Sequence, residues 1–304
     1  MHSEVFGIDV NPLLLLAWSF FSGLVFSTVG AAGGILAGVG HISIFGVPMA
    51  NSIKLMNQIL ILTSTFVSVP SYWRQRRVIF VLGLLLGLGS LLGAYIGSTL
   101  SYRFLQDLKN YKPLFGLFTL LVAIKMFYDL LHRKKREKIK EIEDGIRERG
   151  SSDLRTKSIS MRKVILGFHG REYSFSLFTP VLAGFLVAIV SSALGVGGGF
   201  LLVPFMVSAM GLPMFLIPGT SALSILVTMV VSAGNYMKLG APVDLKFLGV
   251  EVLGVVLGSL VGPHLSKVLR ERRLRLVLGI VLLYIGLGYT IGEWLRSTFG
   301  IRIV

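Results

Sequence analysis

The 304-residue chain is 53% hydrophobic and 15% charged, with a mean hydropathy of +0.77, which excludes an ordinary soluble globular domain. Its 30 Lys and Arg against 15 Asp and Glu give a net charge of +15, a balance that in a soluble protein would point to nucleic acid. Here the basic residues sit in the connections between apolar runs, where they encode membrane topology, so a lipid bilayer and no nucleic acid is the expected partner.

Apolar runs long enough to cross a hydrocarbon core of ~30 Å recur along the chain. They lie near residues 12–29, 53–71, 79–100 and 112–131, and again near 177–194, 213–236, 245–265 and 274–295. Glu4 and Asp9 precede the first run where a secretory signal would carry basic residues, so that run is expected to be retained. Between the two sets, residues 132–172 are dense in Lys and Arg with interspersed Glu and Asp. An amphiphilic or solvated helix is expected over 133–149, followed by a flexible linker over 151–160. This divides the chain into a first membrane repeat (1–131), a charged cytoplasmic loop (132–176) and a second membrane repeat (177–304). With no cysteine, disulfides, thiolate metal sites and thiol nucleophiles are excluded.

Sliding the sequence by about 165 residues brings a second copy into view, without gaps, from Val25 to Ser101. Ser27 falls on Ser192, Gly30 on Gly195, Gly33 on Gly198 and Gly34 on Gly199, and Gly89, Gly93 and Gly97 fall on Gly254, Gly258 and Gly262. The basic loop Arg74-Gln75-Arg76-Arg77 corresponds to weakly charged sequence in the second copy, and the reverse holds for the basic stretch from Lys267 to Arg275. Basic loops mark the cytoplasmic side, so the halves are expected to be inverted relative to one another. The Gly-rich stretch from Gly195 to Met210 must then count as a crossing. The expected fold class is an all-α polytopic membrane protein of about ten segments in two inverted five-segment repeats, with both termini outside.

In each copy a Gly cluster interrupts an apolar stretch, at Gly30-Ala31-Ala32-Gly33-Gly34 and Gly195-Val196-Gly197-Gly198-Gly199. Consecutive glycines break a helix and free backbone N–H groups, which in hydrocarbon survive only when buried in protein or lining a cavity. Helix N-termini facing one another would cradle a small anion near the midplane. Gly33, Gly34, Gly197, Gly198 and Gly199 are therefore candidate substrate-binding residues. The glycine triplets spaced by four, such as Gly89, Gly93 and Gly97, read instead as close helix packing, which suits a homodimer and packing within one chain equally.

Polar residues near the breaks are the next candidates. Asn57 and Gln58 belong here, with Lys54 one turn before Gln58; Gly219, Thr220 and Ser221 occupy the corresponding stretch of copy two. The competing readings are a snorkelling lysine for Lys54 and back-bonding to helix carbonyls for Thr220 and Ser221.

The second-copy run Gly195-Val196-Gly197-Gly198-Gly199-Phe200-Leu201-Leu202-Val203-Pro204, then Gly211-Leu212-Pro213 and Gly219-Thr220-Ser221, resembles the sulfite exporter TauE/SafE family. Met56-Asn57-Gln58 and Tyr72-Trp73-Arg74 resemble the family's first-half pattern, with Gln58 where the family often has Lys. The resemblance spans nearly the whole chain outside residues 132–172. It implies export of small sulfur-containing anions such as sulfite, sulfoacetate or other organosulfonates.

No P-loop signature is present, so the driving force is an ion gradient, the membrane potential or the substrate gradient. His41 and Glu251 are ionisable groups inside apolar segments and candidate proton carriers. Their counterparts in the other copy are Met206 and Leu86. No H-E-x-x-H, acidic cluster or nucleophile–base pattern recommends an enzyme, and no cofactor or metal is expected. A passive anion channel, or a carrier of another small organic anion, is the alternative.

Overall fold

The computed structural model describes residues 1–30, 33–131, 155–159, 163–168, 171–213, 215–268 and 271–299. The first half holds helices α1 (Pro12–Val29), α2 (Gly33–Val39, continued by a π turn, Gly40–Ile44), α3 (Ala50–Arg74), α4 (Phe80–Phe104) and α5 (Leu108–Leu131). The second half holds α6 (Phe178–Leu194), α7 (Gly199–Ser208), α8 (Ile217–Lys238), α9 (Leu245–Val268) and α10 (Glu271–Phe299). Six of these, α1, α3, α4, α5, α8 and α9, are long and apolar enough to cross a membrane; Gly33–Ile44, α6 and part of α10 are shorter apolar helices.

Local chemistry fixes the ends of the broken helices. Asn11 caps α1 by accepting from the N–H groups of Leu13 and Leu14, and Pro12 opens the first turn. The helix stops at Gly30, whose φ of 71° is left-handed, and α6 stops in the same way at Gly195, with φ 67°. The outside of the bundle is apolar, with Leu88, Leu92, Leu253 and Leu257 exposed, while Asn57, Thr65 and Ser232 are buried. That inversion suits a lipid surroundings.

Contacts at the glycines set the directions of the helices. Gly89, Gly93 and Gly97 of α4 meet Val181, Phe185 and Ile189 of α6 in ascending order, so the two helices run parallel. Gly254, Gly258 and Gly262 of α9 meet Leu16, Phe20 and Ser27 of α1 in the same sense. Gly83 and Gly87 meet Leu223 and Val227, which makes α8 parallel to α4 and therefore to α6. Because α6 and α8 run the same way, the intervening Gly-rich segment carries the chain back along the bundle, although α7 alone is only ten residues, about 15 Å, long.

Two pairs of helices, α5 with α10 and α3 with α8, run in opposite directions. Gly116 of α5 meets Tyr289 of α10, Gly286 meets Leu120 and Gly279 meets Phe127, a descending order. In α3 and α8, Leu55 packs with Tyr236 at one end while Tyr72 lies against Gly219 at the other.

The bundle is all-helical, as expected, and short strands accompany it: an N-terminal hairpin pairs β1 (His2–Ser3) with β2 (Ile8–Asp9), and β3 (Arg155–Ile159), β4 (Lys163–Phe168) and β5 (Arg171–Ser176) form an antiparallel sheet in that order. Two expectations need correction. The presumed linker over 151–160 thus contains a strand; β4 carries Val164 and Ile165, and alternation in β5 turns Phe175 into the core. The basic stretch from Lys267 to Arg275 is less a loop than two helix ends, since α9 reaches Val268 and α10 begins at Glu271. The helix expected over 133–149 lies outside the described residues.

Candidate anion site at the helix breaks

The two breaks touch. A Cβ built on Gly34 would lie 2.2 Å from the carbonyl oxygen of Val196, and one on Gly33 would lie 2.6 Å from that of Ser22. Only a residue without a side chain lets α2 fold back on α1 and reach the second break at the same time. Across from them, Gly197 (φ 72°) lies against Ile61 and Phe26, and Gly198 leads into Gly199, the first residue of α7. The N-terminus of α2 borders a void of about 10 Å³ lined by Ser22, Gly33, Ile61 and Ser64, and Gly197, just before α7, packs on the same Ile61.

Asn57 and Gln58 are both fully buried on α3 and serve different neighbours. Gln58 Nε2 donates to the Ser192 carbonyl at 3.0 Å, close to the end of α6. Its Oε1 has no hydrogen-bond partner among the described residues, and neither has the hydroxyl of Ser192. Asn57 faces away from that break: its Oδ1 is 2.6 Å from His41 Nδ1.

The α8 residues flank the other break. Gly219 fits under the Arg77 carbonyl, 2.6 Å from its virtual Cβ. Thr220 donates back to the Leu216 carbonyl and accepts from the N–H of Ile79, at the start of α4. Ser221 bonds the Pro218 carbonyl, and its hydroxyl lies against Gly30. The polar candidates thus form two groups, Gln58 with the second break and Ser221 with the first, on either side of the glycine contact.

His41 and Glu251, distant in sequence, are neighbours: His41 Nε2 is 2.8 Å from Glu251 Oε1, at side-chain exposures of 0% and 2%. The π turn aims the imidazole inward, and the Phe247 ring, 5.9 Å from it, closes the space above.

The surroundings of Lys54 and of several tyrosines at the breaks were not readable from the sequence. Lys54 is not a snorkelling residue, for it is 0% exposed; its ammonium donates to the Ser101 hydroxyl at 2.9 Å and the Leu105 carbonyl at 2.8 Å, and faces the rings of Tyr111 and Tyr236. Tyrosines satisfy carbonyls that the breaks leave free: Tyr72 takes that of Ser27, Tyr111 that of Leu194 and Tyr236 that of Ser192. The near-165 spacing of Tyr72 and Tyr236 was the available signal.

These breaks, their inward N-termini and the apolar exterior agree with what comparison with known proteins finds. No solved structure matches the chain. A probable membrane transporter protein, YunE of Bacillus subtilis (strain 168), is 23% identical over 282 residues, covering 90% of this chain and 95% of that protein. The family model described as sulfite exporter TauE/SafE matches residues 15–289, nearly the whole chain, and the protein therefore belongs to the sulfite exporter TauE/SafE family of membrane transporters.

Proposed function

We propose that this protein is a secondary transporter that exports small sulfur-containing anions, such as sulfite, sulfoacetate or other organosulfonates, across the cell membrane by alternating access. The observation that carries the reading is the contact of the two breaks, Gly34 against Val196, which brings two helix starts and their freed N–H groups to one place. Membership of the sulfite exporter family supports a sulfur-anion substrate. Gly33, Gly34, Gly197, Gly198 and Gly199 cradle the anion, while Asn57, Gln58, Gly219, Thr220 and Ser221 line its approaches.

The membrane arrangement that goes with this is two inverted repeats of five segments, 1–131 and 177–304, with 132–176 in the cytoplasm and both termini outside. The antiparallel pairing of α3 with α8 and of α5 with α10 supports it, since a parallel duplication would align equivalent helices. Rocking one half against the other then exposes the breaks to each side in turn.

Proteoliposome uptake and counterflow with sulfite, sulfoacetate, taurine and plain carboxylates test the reading. Saturable flux and counterflow confined to the sulfur anions support a carrier. Flux without saturation means a channel, and absence of flux with folded protein means a different cargo.

A further inference from the structure

A buried acid–base cluster stands on one side only of an otherwise repeated core. His41 Nδ1 lies 2.6 Å from Asn57 Oδ1 and Nε2 lies 2.8 Å from Glu251 Oε1, so both ring nitrogens face oxygens. A neutral imidazole has a single N–H and can serve one of them; its other nitrogen would then set a lone pair against a lone pair. An imidazolium bonds Asn57 through Nδ1–H and sets its charge against the Glu251 carboxylate. Without that proton, the Asn57 amide must turn over so that Nδ2 donates to the ring. Nε2 of His41, Nδ2 of Asn57 and Oε2 of Glu251 have no hydrogen-bond partner among the described residues, so the imidazole meets Glu251 at ion-pair distance without an aligned hydrogen bond.

Packing alone does not demand these residue types. The positions reached by the 165-residue offset are Met206, Ala222 and Leu86, all buried and apolar. Among the described residues, other ionisable side chains on the surrounding elements have partners of their own. On α3, Lys54 bonds Ser101 and Leu105; on α10, the Tyr289 hydroxyl bonds Ser43; on α5, Lys112 lies over the Tyr289 ring and Tyr111 bonds Leu194. On α9, Asp244 bonds Ser3 at the helix start. The helix α1 carries no ionisable residue, and on the hairpin His2, Glu4 and Asp9 are exposed.

We propose that His41, Glu251 and Asn57 form the proton-binding site of the carrier, with one proton taken up and released in each transport cycle. The proposal rests on the carrier reading above. The step is an acid–base reaction: neutral imidazole, carboxylate and a proton from water give the imidazolium–carboxylate pair, with Asn57 as second acceptor. Uptake changes the buried charge from one negative to zero, which relieves the cost of an unpaired buried ion. An anion at the breaks meets one negative charge fewer in the protonated state, so proton and anion favour the same state and cross together. The connection is short, because Asn57 adjoins Gln58 on the Ser192 carbonyl and His41 ends the segment whose Gly34 touches Val196.

The test has two arms on the full-length protein in lipid nanodiscs. Infrared difference spectra between about pH 5 and about pH 8 read the buried pair without any anion. A titrating imidazole and carboxylate signal is expected in the wild type, its loss in H41Q and E251Q, and a midpoint at lower pH in N57S, whose shorter side chain withdraws the acceptor from Nδ1. In unbuffered solution, sulfite binding should take up a proton, and sulfite affinity should rise up to about tenfold per pH unit of acidification, both effects vanishing in E251Q. Should a substituted protein fail to fold by size exclusion, N57S and the wild-type titration still decide. Unchanged spectra in folded variants, or sulfite binding without proton uptake, overturn the proposal. If the wild type neither binds nor moves sulfite while the infrared signal behaves as expected, the substrate is wrong and the proton site stands.

Discussion

Gly34 faces the carbonyl of Val196 so closely that a methyl group on it would lie 2.2 Å from the oxygen. The obstacle is backbone, which cannot swing aside, so Gly34→Ala must separate the two breaks. Overpacking of this kind costs about 1–3 kcal/mol and here also displaces the helix starts from one another. Gly198 offers the contrast. It has an ordinary φ of −81°, and its nearest neighbour is a Val187 methyl at 2.8 Å, a side-chain group and not backbone. Gly34→Ala should abolish sulfite uptake, whereas Gly198→Ala should keep most of it. Equal loss in both would mean that the cluster works by flexibility and not by close approach.

A buried cation with no carboxylate within 4 Å among the described residues needs a reason, and Lys54 is one. Its partners are the last carbonyls of α4, the negative end of that helix, and two tyrosine rings. Methionine keeps the volume and removes both the charge and its desolvation cost, so Lys54→Met should alter stability by no more than about 1–2 kcal/mol. If the proposed anion passes Gly195, which packs on Lys54, the substitution takes the field of that ammonium from it. Uptake kinetics should show KM for sulfite raised about tenfold, equivalent to about 1.4 kcal/mol, with kcat little changed. An unaltered KM would assign Lys54 to packing alone.

The helices were legible because apolar runs and glycine punctuation are local signals: the run over 12–29 is α1, and Gly30 and Gly195 end their helices in the left-handed conformation their residue type allows. The glycine triplets were likewise readable as close packing, since the absence of a side chain has one main use between helices. The contact between His41 and Glu251 was not legible, nor was the burial of Lys54. Both depend on which helix lies beside which, and a 165-residue repeat predicts equivalent positions but not the partner at a position where the copies differ. The strand β3 was missed for another reason: Arg155-Thr-Lys-Ser-Ile is polar, and its pairing is decided by the neighbouring Val164 and Ile165.

Outside the spanning segments, Ser3 and Asp244 tie the N-terminal hairpin to the start of α9. Burial pushes the Asp244 carboxyl up, but the Ser3 hydroxyl, the N–H groups of Phe247 and Lys246 and the Lys246 charge outweigh it, holding the group below its usual value. A carboxyl depressed on folding stabilises the protein above its unfolded value, near 4, and that contribution disappears as pH falls through the folded value. Ser3→Ala should therefore lower the melting temperature at pH 7, by a bond of about 1.5–3 kcal/mol. The difference from wild type should shrink below about pH 4. A difference that persists in acid would place the effect in the packing of Phe6 on Phe247 instead.

The absence of cysteine lets the inverted arrangement be tested without first removing any. If α3 descends from outside to inside and α4 returns, the turn at Arg76, where φ is 55°, faces the cytoplasm and Asp107 faces outside. In the second half α8 runs parallel to α4, so Gly240, just beyond its end, also faces outside. Single cysteines at Arg76, Asp107 and Gly240 should divide accordingly: an impermeant maleimide applied to intact cells labels the last two and leaves the first until the membrane is broken. The discriminating pair is Arg76 and Gly240, which follow the equivalent helices α3 and α8. A duplication without inversion would put both on one side, and labelling of the two together from outside would remove the inverted repeat and with it the alternating-access reading built on it.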